Sequence, residues 1–475
     1  MKVPKRMYTP GRSVTRRGFL IRSAVGGAAL LSGTSFGRTA PAVSAGRRPN
    51  ILFIVTDQQG LDTISAVGCS DVHTPNLDRL ARRGMTFMES HSTDPVCSPA
   101  RSSIFTGRMP SETGVFVNGR PIRESIPNVG QWLSREGYET VYVGKWHLPR
   151  SFTLDIPGFT VIPGGLSSHG TVGDGPVSRA CQGYLRNYKG DKPFLLVASF
   201  LQPHDVCHWV IMRQKQPENL PYPELAGELP PLPSNFDYDP REPERVKQTR
   251  QTSKRCPWNE EQWRFYLWSY YRMVEEVDAE IGRVLQALED AGHLEDTLVV
   301  FTSDHGEGRA RHQQVLKNVL YDEAVKVPLI FSWPGRISEN VQDRTSLVSG
   351  LDIVPTLCDF VGVKAPPDMR GRTLRAALEG RAAPGAEFVA AEVRITGRMV
   401  RTPDFKYIAF EDDPVVQLFD MKNNPGETKN LFEDSQYASV LEEHRRLLER
   451  WESRLDPMPR PAPRGQTRQR PTPAP

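Results

Sequence analysis

Five short runs of branched and aromatic residues, spaced by stretches of helical periodicity, narrow what this chain can fold into. They are Ile51-Leu52-Phe53-Ile54-Val55, Thr140-Val141-Tyr142-Val143, Phe194-Leu195-Leu196-Val197-Ala198, Leu298-Val299-Val300-Phe301 and Pro328-Leu329-Ile330-Phe331. Runs that are apolar without alternation suit strands buried on both faces, the condition of a parallel sheet covered by helices. Between them, Tyr270, Val274, Val277, Ile281, Val284 and Leu288 recur at three- and four-residue steps, with Gly292 as a stop. That is an amphipathic helix packing its apolar stripe on the sheet. Asn76 to Met85 reads as a shorter helix of the same kind. The order of strand, helix and strand predicts an α/β fold, a mostly parallel mixed sheet sandwiched by helices.

Two stretches break the pattern. Val210 to Pro257 is rich in proline and charge, with Leu229-Pro230-Pro231-Leu232-Pro233 at its centre, and reads as a long functional loop over the surface. After Thr373 the texture changes to Phe388-Val389-Ala390-Ala391, Met399-Val400-Arg401, Lys406-Tyr407-Ile408-Ala409 and Val416-Gln417-Leu418-Phe419. Turn residues separate these segments, which predicts a small antiparallel sheet closed by a helix from Gln436 to Leu455. The expected division is a leader at 1–45, a main α/β domain at 46–373, a C-terminal α+β subdomain at 374–457 and a disordered tail at 458–475.

The leader carries Thr15-Arg16-Arg17-Gly18-Phe19-Leu20, an apolar small-residue stretch from Ala24 to Leu31, and Val43-Ser44-Ala45 for cleavage. This is the pattern of a twin-arginine signal peptide, which predicts export to the periplasm or beyond by the twin-arginine machinery. Its apolar part is far shorter than the ~20 residues of a membrane span, so no stable span is expected. The leader also distorts the charge: Lys2, Lys5, Arg6, Arg12, Arg16, Arg17, Arg22 and Arg38 have no balancing acid, and removing them turns the formal +4 into about −4. The basic balance therefore gives no support to nucleic-acid binding. The six cysteines (69, 97, 181, 207, 256 and 358) form no CxxC pair, which leaves neither a zinc ribbon nor a disulfide-dense scaffold indicated.

Polar residues gather where the strands end. Asp57-Gln58 follows the first run, Lys145-Trp146-His147 the second, Gln202-Pro203-His204-Asp205 the third and Asp304-His305-Gly306-Glu307 the fourth. Ligands of open α/β sheets bind at the carboxyl ends of the strands, so four such clusters can face one crevice. Asp57, Gln58, Asp304 and His305 supply two carboxylates, an amide oxygen and an imidazole. Hard oxygen donors favour calcium or magnesium, and the imidazole admits manganese or zinc. Cys97-Ser98-Pro99-Ala100-Arg101 places a cysteine just before a helix that Pro99 should start, where amide groups and the dipole favour an anion.

These motifs together resemble the formylglycine-dependent sulfatases of the alkaline phosphatase superfamily. The resemblance runs through Asn50 to Gly60, His73-Thr74-Pro75-Asn76-Leu77-Asp78, the Cys97 pentapeptide, Gly144-Lys145-Trp146-His147, Pro203-His204 and Ser303-Asp304-His305-Gly306-Glu307. It continues through Leu418-Phe419-Asp420 and Asn424-Pro425-Gly426-Glu427-Thr428-Lys429-Asn430-Leu431. It implies a sulfuric ester hydrolase, with residues 46–373 as its catalytic domain, and conversion of Cys97 to formylglycine by a formylglycine-generating system. Asp57, Gln58, Cys97, Asp304 and His305 would hold a divalent metal, calcium first, with magnesium or manganese as alternatives. Arg101 would stabilise the formylglycine hydrate, Lys145 the hydrate and the sulfate, and His147 would be the base that expels sulfate. His204 and Lys317 would bind sulfate oxygens and assist the leaving oxygen. The substrate implied is a sulfated small molecule or oligosaccharide, and His208, Trp209 and Arg311 stand open between lining its pocket and packing.

One departure bears on specificity. Many sulfatases carry two adjacent carboxylates after the first strand, where this chain has Asp57-Gln58. The Asp-Gln and Asp-His combination also resembles the phosphonate and phosphodiester hydrolases of the same superfamily, whereas Lys145 and His147 favour the sulfatases. A third reading is an inactive sugar-sulfate-binding protein, correct if Cys97 is never oxidised.

Overall fold

Asn50–Asp57 (β1) is buried at all eight positions and lies inside a sheet, as an apolar run without alternation requires. In chain order the other strands of that sheet are Gly84–His91 (β2), Glu139–Gly144 (β3), Thr160–Ile162 (β4), Phe194–Pro203 (β5), Thr297–Ser303 (β6), Leu329–Ser332 (β7) and Val341–Ser349 (β8). They are ordered β4-β3-β5-β1-β6-β7-β2-β8. The strands from β4 to β6 run parallel. β7 is antiparallel to both its neighbours, and β8 is parallel to β2. A second sheet, wholly antiparallel, consists of Val389–Val393 (β9), Gly397–Arg401 (β10), Phe405–Phe410 (β11) and Gln417–Asp420 (β12) in the order β12-β11-β10-β9. The fold is thus the mixed, mostly parallel sheet and smaller antiparallel sheet that the sequence predicts. This computed structural model describes residues 48–456 apart from 166, 216–222, 254–256, 383 and 395. The expected leader, the tail and Cys256 lie outside the described residues.

Alternate residues of β1 feed the two faces of the main sheet, following the two-residue period of a strand. Ile51, Phe53 and Val55 pack with Phe105, Leu133 and Leu357 on one side. Leu52 and Ile54 pack with Leu77, Leu80, Val277, Ile281 and Leu288 on the other. The long helix Glu260–Asp290 supplies much of that second layer. It starts at Asn259, whose side chain accepts from the Gln262 amide, and it stops before Gly292, at φ 74°. Among the described residues no helix is long and apolar enough to cross a membrane.

Three expectations need correction. The helix placed at Asn76–Met85 spans Pro75–Arg82, and Met85 belongs to β2. Gly84 opens β2 so close to β7 that a Cβ there would run into the Phe331 carbonyl, an approach that periodicity cannot register. The stretch Val210–Pro257 is not a plain loop: it contains the end of helix Val206–Lys215, a 3-10 segment Pro223–Glu228 and helix Glu244–Ser253. Val206 and Val210 pack under Trp263 and Tyr266, a single-turn apolar step too short to stand out amid proline and charge. The last helix is shorter than expected, Ala438–Glu452.

Buried charge joins the two sheets. The Lys406 ammonium, on β11, lies 2.8 Å from Asp322 Oδ1 and 2.7 Å from Glu427 Oε1. His91, at the end of β2, stands beside this group with Nε2 3.8 Å from Asp322 Oδ1. Burial outweighs that carboxylate, and with Lys326, Arg401 and Lys406 nearby the imidazole is pushed down to about 3. Between about pH 6.5 and that value the unfolded chain binds the extra proton, so stability falls as pH falls. His91→Gln should remove about 2 kcal/mol of the loss between about pH 7.5 and about pH 5, read by urea unfolding. A variant that loses as much as the parent over that range would exclude His91 as the sensitive group.

Candidate active site

The carboxyl ends of four adjacent parallel strands build the site. β1 ends at Asp57, β3 at Gly144 ahead of Lys145 and His147, β5 at Pro203 ahead of His204, and β6 at Ser303 ahead of Asp304 and His305. Gly144, at φ 101°, lets the chain turn out of β3 where a Cβ would strike the Ser199 carbonyl. Helix Cys97–Thr106 points its N-terminus at this edge. Cys97 is its first residue rather than the residue before it, and Pro99 lies inside the first turn. Asn118 Oδ1 accepts from the Ser98 amide at 3.0 Å, and Ser98 Oγ donates to the His147 carbonyl at 2.6 Å. The helix start and the β3 loop are therefore tied together.

All ten expected site residues meet around the Cys97 sulfur. His305 Nε2 and Lys317 Nζ each lie 3.2 Å from Sγ, and Asp57 Oδ1 lies 3.6 Å away. The His147 and His204 side chains lie near the same sulfur, close enough that His147 helps to lower the thiol and Cys97 acts on His204. Lys145 Nζ pairs with Asp57. Arg101, fully buried, donates from Nε to Asp304 at 2.8 Å, from Nη2 to Asp57 at 3.3 Å, and from Nη1 to the Lys145 carbonyl and Ser199 Oγ at 2.9 Å. Its guanidinium serves first to hold the two carboxylates in place.

The charges are mutually sustaining. Burial would raise Asp57, and Cys97 adds to that, yet Lys145, His204 and Lys317 hold its carboxyl well below the usual range. Burial and the neighbouring Asp57 push Asp304 up. Burial likewise opposes ionisation of Cys97, but Lys145, Lys317 and His305 bring its thiol well below the ordinary value. Lys317 stays protonated because Cys97, Cys207, Asp57 and Asp304 outweigh its burial. An anion placed at Cys97 therefore meets a cationic wall inside a buried site, where such interactions are strengthened.

The donor set suits a divalent cation. One atom each from Asp57, Cys97, Asp304 and His305, all buried, lie within 4.8 Å of one another. His305 Nδ1 lies 2.9 Å from the Gly306 carbonyl, so that Nδ1 carries a proton and Nε2 is the nitrogen facing the cluster, where a bound cation would take its lone pair. Gln58 Nε2 donates to Glu307, so Oε1 turns inward, where Lys317 Nζ meets it at 2.6 Å. Five donors thus converge on one place.

Sequence reasoning gave Glu307 no role, though it was quoted within the Asp304 motif. Its carboxylate accepts from Gln58, from the Tyr266 hydroxyl and from the Leu316 amide, so it sets both the Gln58 amide and the Lys317 turn. Cys207 and Ser199 were missed outright; Cys207 Sγ lies 3.3 Å from Gln58 Oε1. No local motif marks them, because they act from neighbouring elements. Several residues around the cluster hold positive φ without being glycine, namely Gln58 (73°), His147 (65°), Leu316 (68°) and Asn318 (82°). Such strain gathers at functional sites, where the surrounding structure over-determines it. Of the residues left open, Trp209 packs on Trp258, Phe265 and Tyr266, and Arg311 pairs with Asp62 at 2.6 Å. His208 stacks against His169 beside Asp205. That trio is a helix cap rather than a second metal site, since the Asp205 oxygens already accept from Gly170 N, Thr171 N, Thr171 Oγ1 and Gln202 Nε2.

Residues 49–363, which span every one of these groups, match the sulfatase family. The chain is a sulfatase. Residues 310–454 of this sulfatase also match the C-terminal region of N-sulphoglucosamine sulphohydrolase. It is 32% identical over 440 residues to a Δ4,5-hexuronate-2-O-sulfatase of Bacteroides thetaiotaomicron, covering 86% of this chain and 89% of that relative. Its fold is similar to a crystal structure of a putative sulfatase from Bacteroides thetaiotaomicron, at TM-score 0.76 and 29% identity, over 86% of this chain and 93% of the other. It is also similar to the phosphonate monoester hydrolase of Agrobacterium radiobacter, at TM-score 0.70 and 25% identity, over 86% and 97%.

Proposed function

We propose that this sulfatase hydrolyses sulfate esters of carbohydrates through a formylglycine made from Cys97, and that its leader exports it by the twin-arginine route. The observation that carries the reading is the Cys97 sulfur, buried at a helix N-terminus and touched by Lys317 and His305 at once, with His147 and His204 close by. A divalent cation held by Asp57, Gln58, Cys97, Asp304 and His305, calcium first and otherwise magnesium or manganese, would polarise the nucleophilic oxygen as a Lewis acid. The similarity to a hexuronate-2-O-sulfatase supports a sulfated sugar as substrate.

In this reading the aldehyde of residue 97 is hydrated, and one of its hydroxyl oxygens attacks sulfur. The attacking hydroxyl would lose its proton as it adds, the S–O bond to the sugar would break, and that proton, passed on by His204, would end on the sugar oxygen. His204 and Lys317 meet the charge on that leaving oxygen, while Lys145 and Lys317 neutralise the sulfate oxygens. His147 then takes the proton of the second hydroxyl, the bond from carbon to the sulfate oxygen breaks, and the aldehyde returns as sulfate leaves.

The Asp57-Gln58 and Asp304-His305 ligand set, with the likeness to a phosphonate monoester hydrolase, favours one alternative, hydrolysis of phosphonate monoesters or phosphodiesters. Rates on an aryl sulfate and an aryl phosphonate of the same leaving group separate the two. The sulfate should be turned over faster, and a dominant phosphonate rate would overturn the sulfatase chemistry. An inactive sugar-sulfate-binding protein would instead show only unmodified thiol at Cys97 by mass spectrometry.

A further inference from the structure

The geometry points to a second anion-binding subsite beside the nucleophile, formed by Arg245 and Arg394, that takes a second acidic group of the sugar carrying the scissile sulfate. This deepens the sulfatase reading and rests on it. The subsite is a cavity of about 210 Å³ lined by Arg245, Gln248, Thr249, Lys317, Asn318 and Arg394. Lys317 belongs to both places: its side chain lines the cavity, and its ammonium touches Gln58 and Cys97. A saccharide whose sulfate lies at Cys97 therefore has this cavity beside it.

Three separate elements converge there. Arg245 comes from helix Glu244–Ser253, in the stretch read from sequence as a loop. Arg394 follows β9 in the turn to β10, at φ 56°. Lys317 sits between Leu316 and Asn318, both at positive φ. Three cations from distant parts of the sequence thus line one cavity, and no carboxylate appears among its lining residues.

Arg245 is half-buried and Arg394 exposed, so solvent screens both guanidiniums while leaving them open to a ligand in the cavity. Among the described residues neither arginine has an acidic partner within ion-pair distance. The hydrogen bond that Arg245 makes is a long one, Nη1 to Gln248 Oε1 at 3.4 Å. Partial burial and the facing Arg394 push the Arg245 guanidinium down, as two like charges on one cavity do. The buried carboxylate that feels Arg394 is Asp94, which burial and Glu392 drive toward its neutral form, so it does not serve as counter-ion. Two guanidiniums with no carboxylate beside them are free to take an anion from a substrate. Guanidinium forks favour flat or multi-oxygen anions, bound through two parallel hydrogen bonds. The ligand class is a carboxylate or second sulfate on an acidic saccharide.

The test uses the full chain carrying Cys97→Ala, so that substrate is bound and not consumed. Three probes are titrated by calorimetry: a 2-O-sulfated uronosyl-glucosamine disaccharide, its carboxyl methyl ester, and the same disaccharide with an added 6-O-sulfate. Adding Arg245→Gln and Arg394→Gln should weaken binding of the free acid by about 10- to 100-fold, the scale of charged hydrogen bonds. The ester should bind weakly to begin with and respond little to the arginines if the carboxylate is the anion recognised. A gain from the 6-O-sulfate that vanishes with the arginines identifies sulfate instead, and also supports the subsite. Equal weakening of all three probes, no weakening, or no binding to the arginine-intact protein overturns it. Hydrolysis of sulfated sugars by the unmutated chain is scored separately. Arginine-dependent binding without hydrolysis sinks the activity alone, and hydrolysis with arginine-independent binding sinks the subsite alone.

Discussion

Cys97→Ala is expected to lower turnover of an aryl sulfate by about four orders of magnitude or more, the scale on which removal of a covalent nucleophile acts. The surrounding cations would remain, since Lys145 pairs with Asp57 and Lys317 keeps Gln58 at 2.6 Å, so sulfate binding should survive. The loss should therefore fall on kcat and leave KM within a few-fold. Cys97→Ser sharpens the point. A serine hydroxyl can attack sulfur once, but it has no second hydroxyl from which His147 could take a proton to expel sulfate. The serine variant should accumulate a sulfated peptide at residue 97, visible by mass spectrometry, with at most one turnover. A serine variant that turns over steadily would remove the aldehyde from the mechanism. So would a fully active parent whose Cys97 peptide is an unmodified thiol.

That Cys97 could be singled out from sequence follows from the kind of residues that make the site. Asp57 ends, and Lys145, His204 and Asp304 directly follow, a strand whose apolar run is visible in the sequence, and a parallel sheet brings such ends to one edge. The long helix was equally legible, because its buried stripe from Tyr270 to Leu288 holds one period over many turns. What escaped was structure set by a neighbour. Gly84 and Met85, the first two residues of β2, read as the end of a helix because the pairing of β2 with β7 depends on Gly84 fitting under Phe331. Helix Glu244–Ser253 has little apolar stripe of its own and stands beside a turn from the second sheet. Glu307 lay in plain view, yet its role depends on Gln58, Tyr266 and Leu316 arriving from three directions. Periodicity reads elements, whereas such contacts exist only after the elements meet.

Arg101→Ala is expected to cost about 3–5 kcal/mol of unfolding free energy in a chelating buffer, as removing one member of a buried ion pair does. Two effects oppose each other here. Taking a fully buried guanidinium out of the core relieves its desolvation, which favours the variant. Against that, Asp57 and Asp304 lose the group that donates to both, and the Lys145 carbonyl and Ser199 Oγ lose a donor each. The second effect wins because four buried acceptors lose their donor at once, and Asp304, which accepts from Arg101 Nε at 2.8 Å, is left beside the ionised Asp57. Asp304 can relieve part of this by taking a proton, at the cost of its place in the charge balance of the site. A divalent cation bound to the same two carboxylates would supply the missing charge. The destabilisation should therefore shrink in excess calcium, following the mass-action gain of a ligand that binds only the folded chain. Arg101→Lys should fall between, since it restores the charge but not the fork that reaches both carboxylates. Urea unfolding with and without calcium reads all three. An equal loss in both buffers would mean that Arg101 and the cation do not share Asp57 and Asp304, and the proposed ligand set would have to be redrawn.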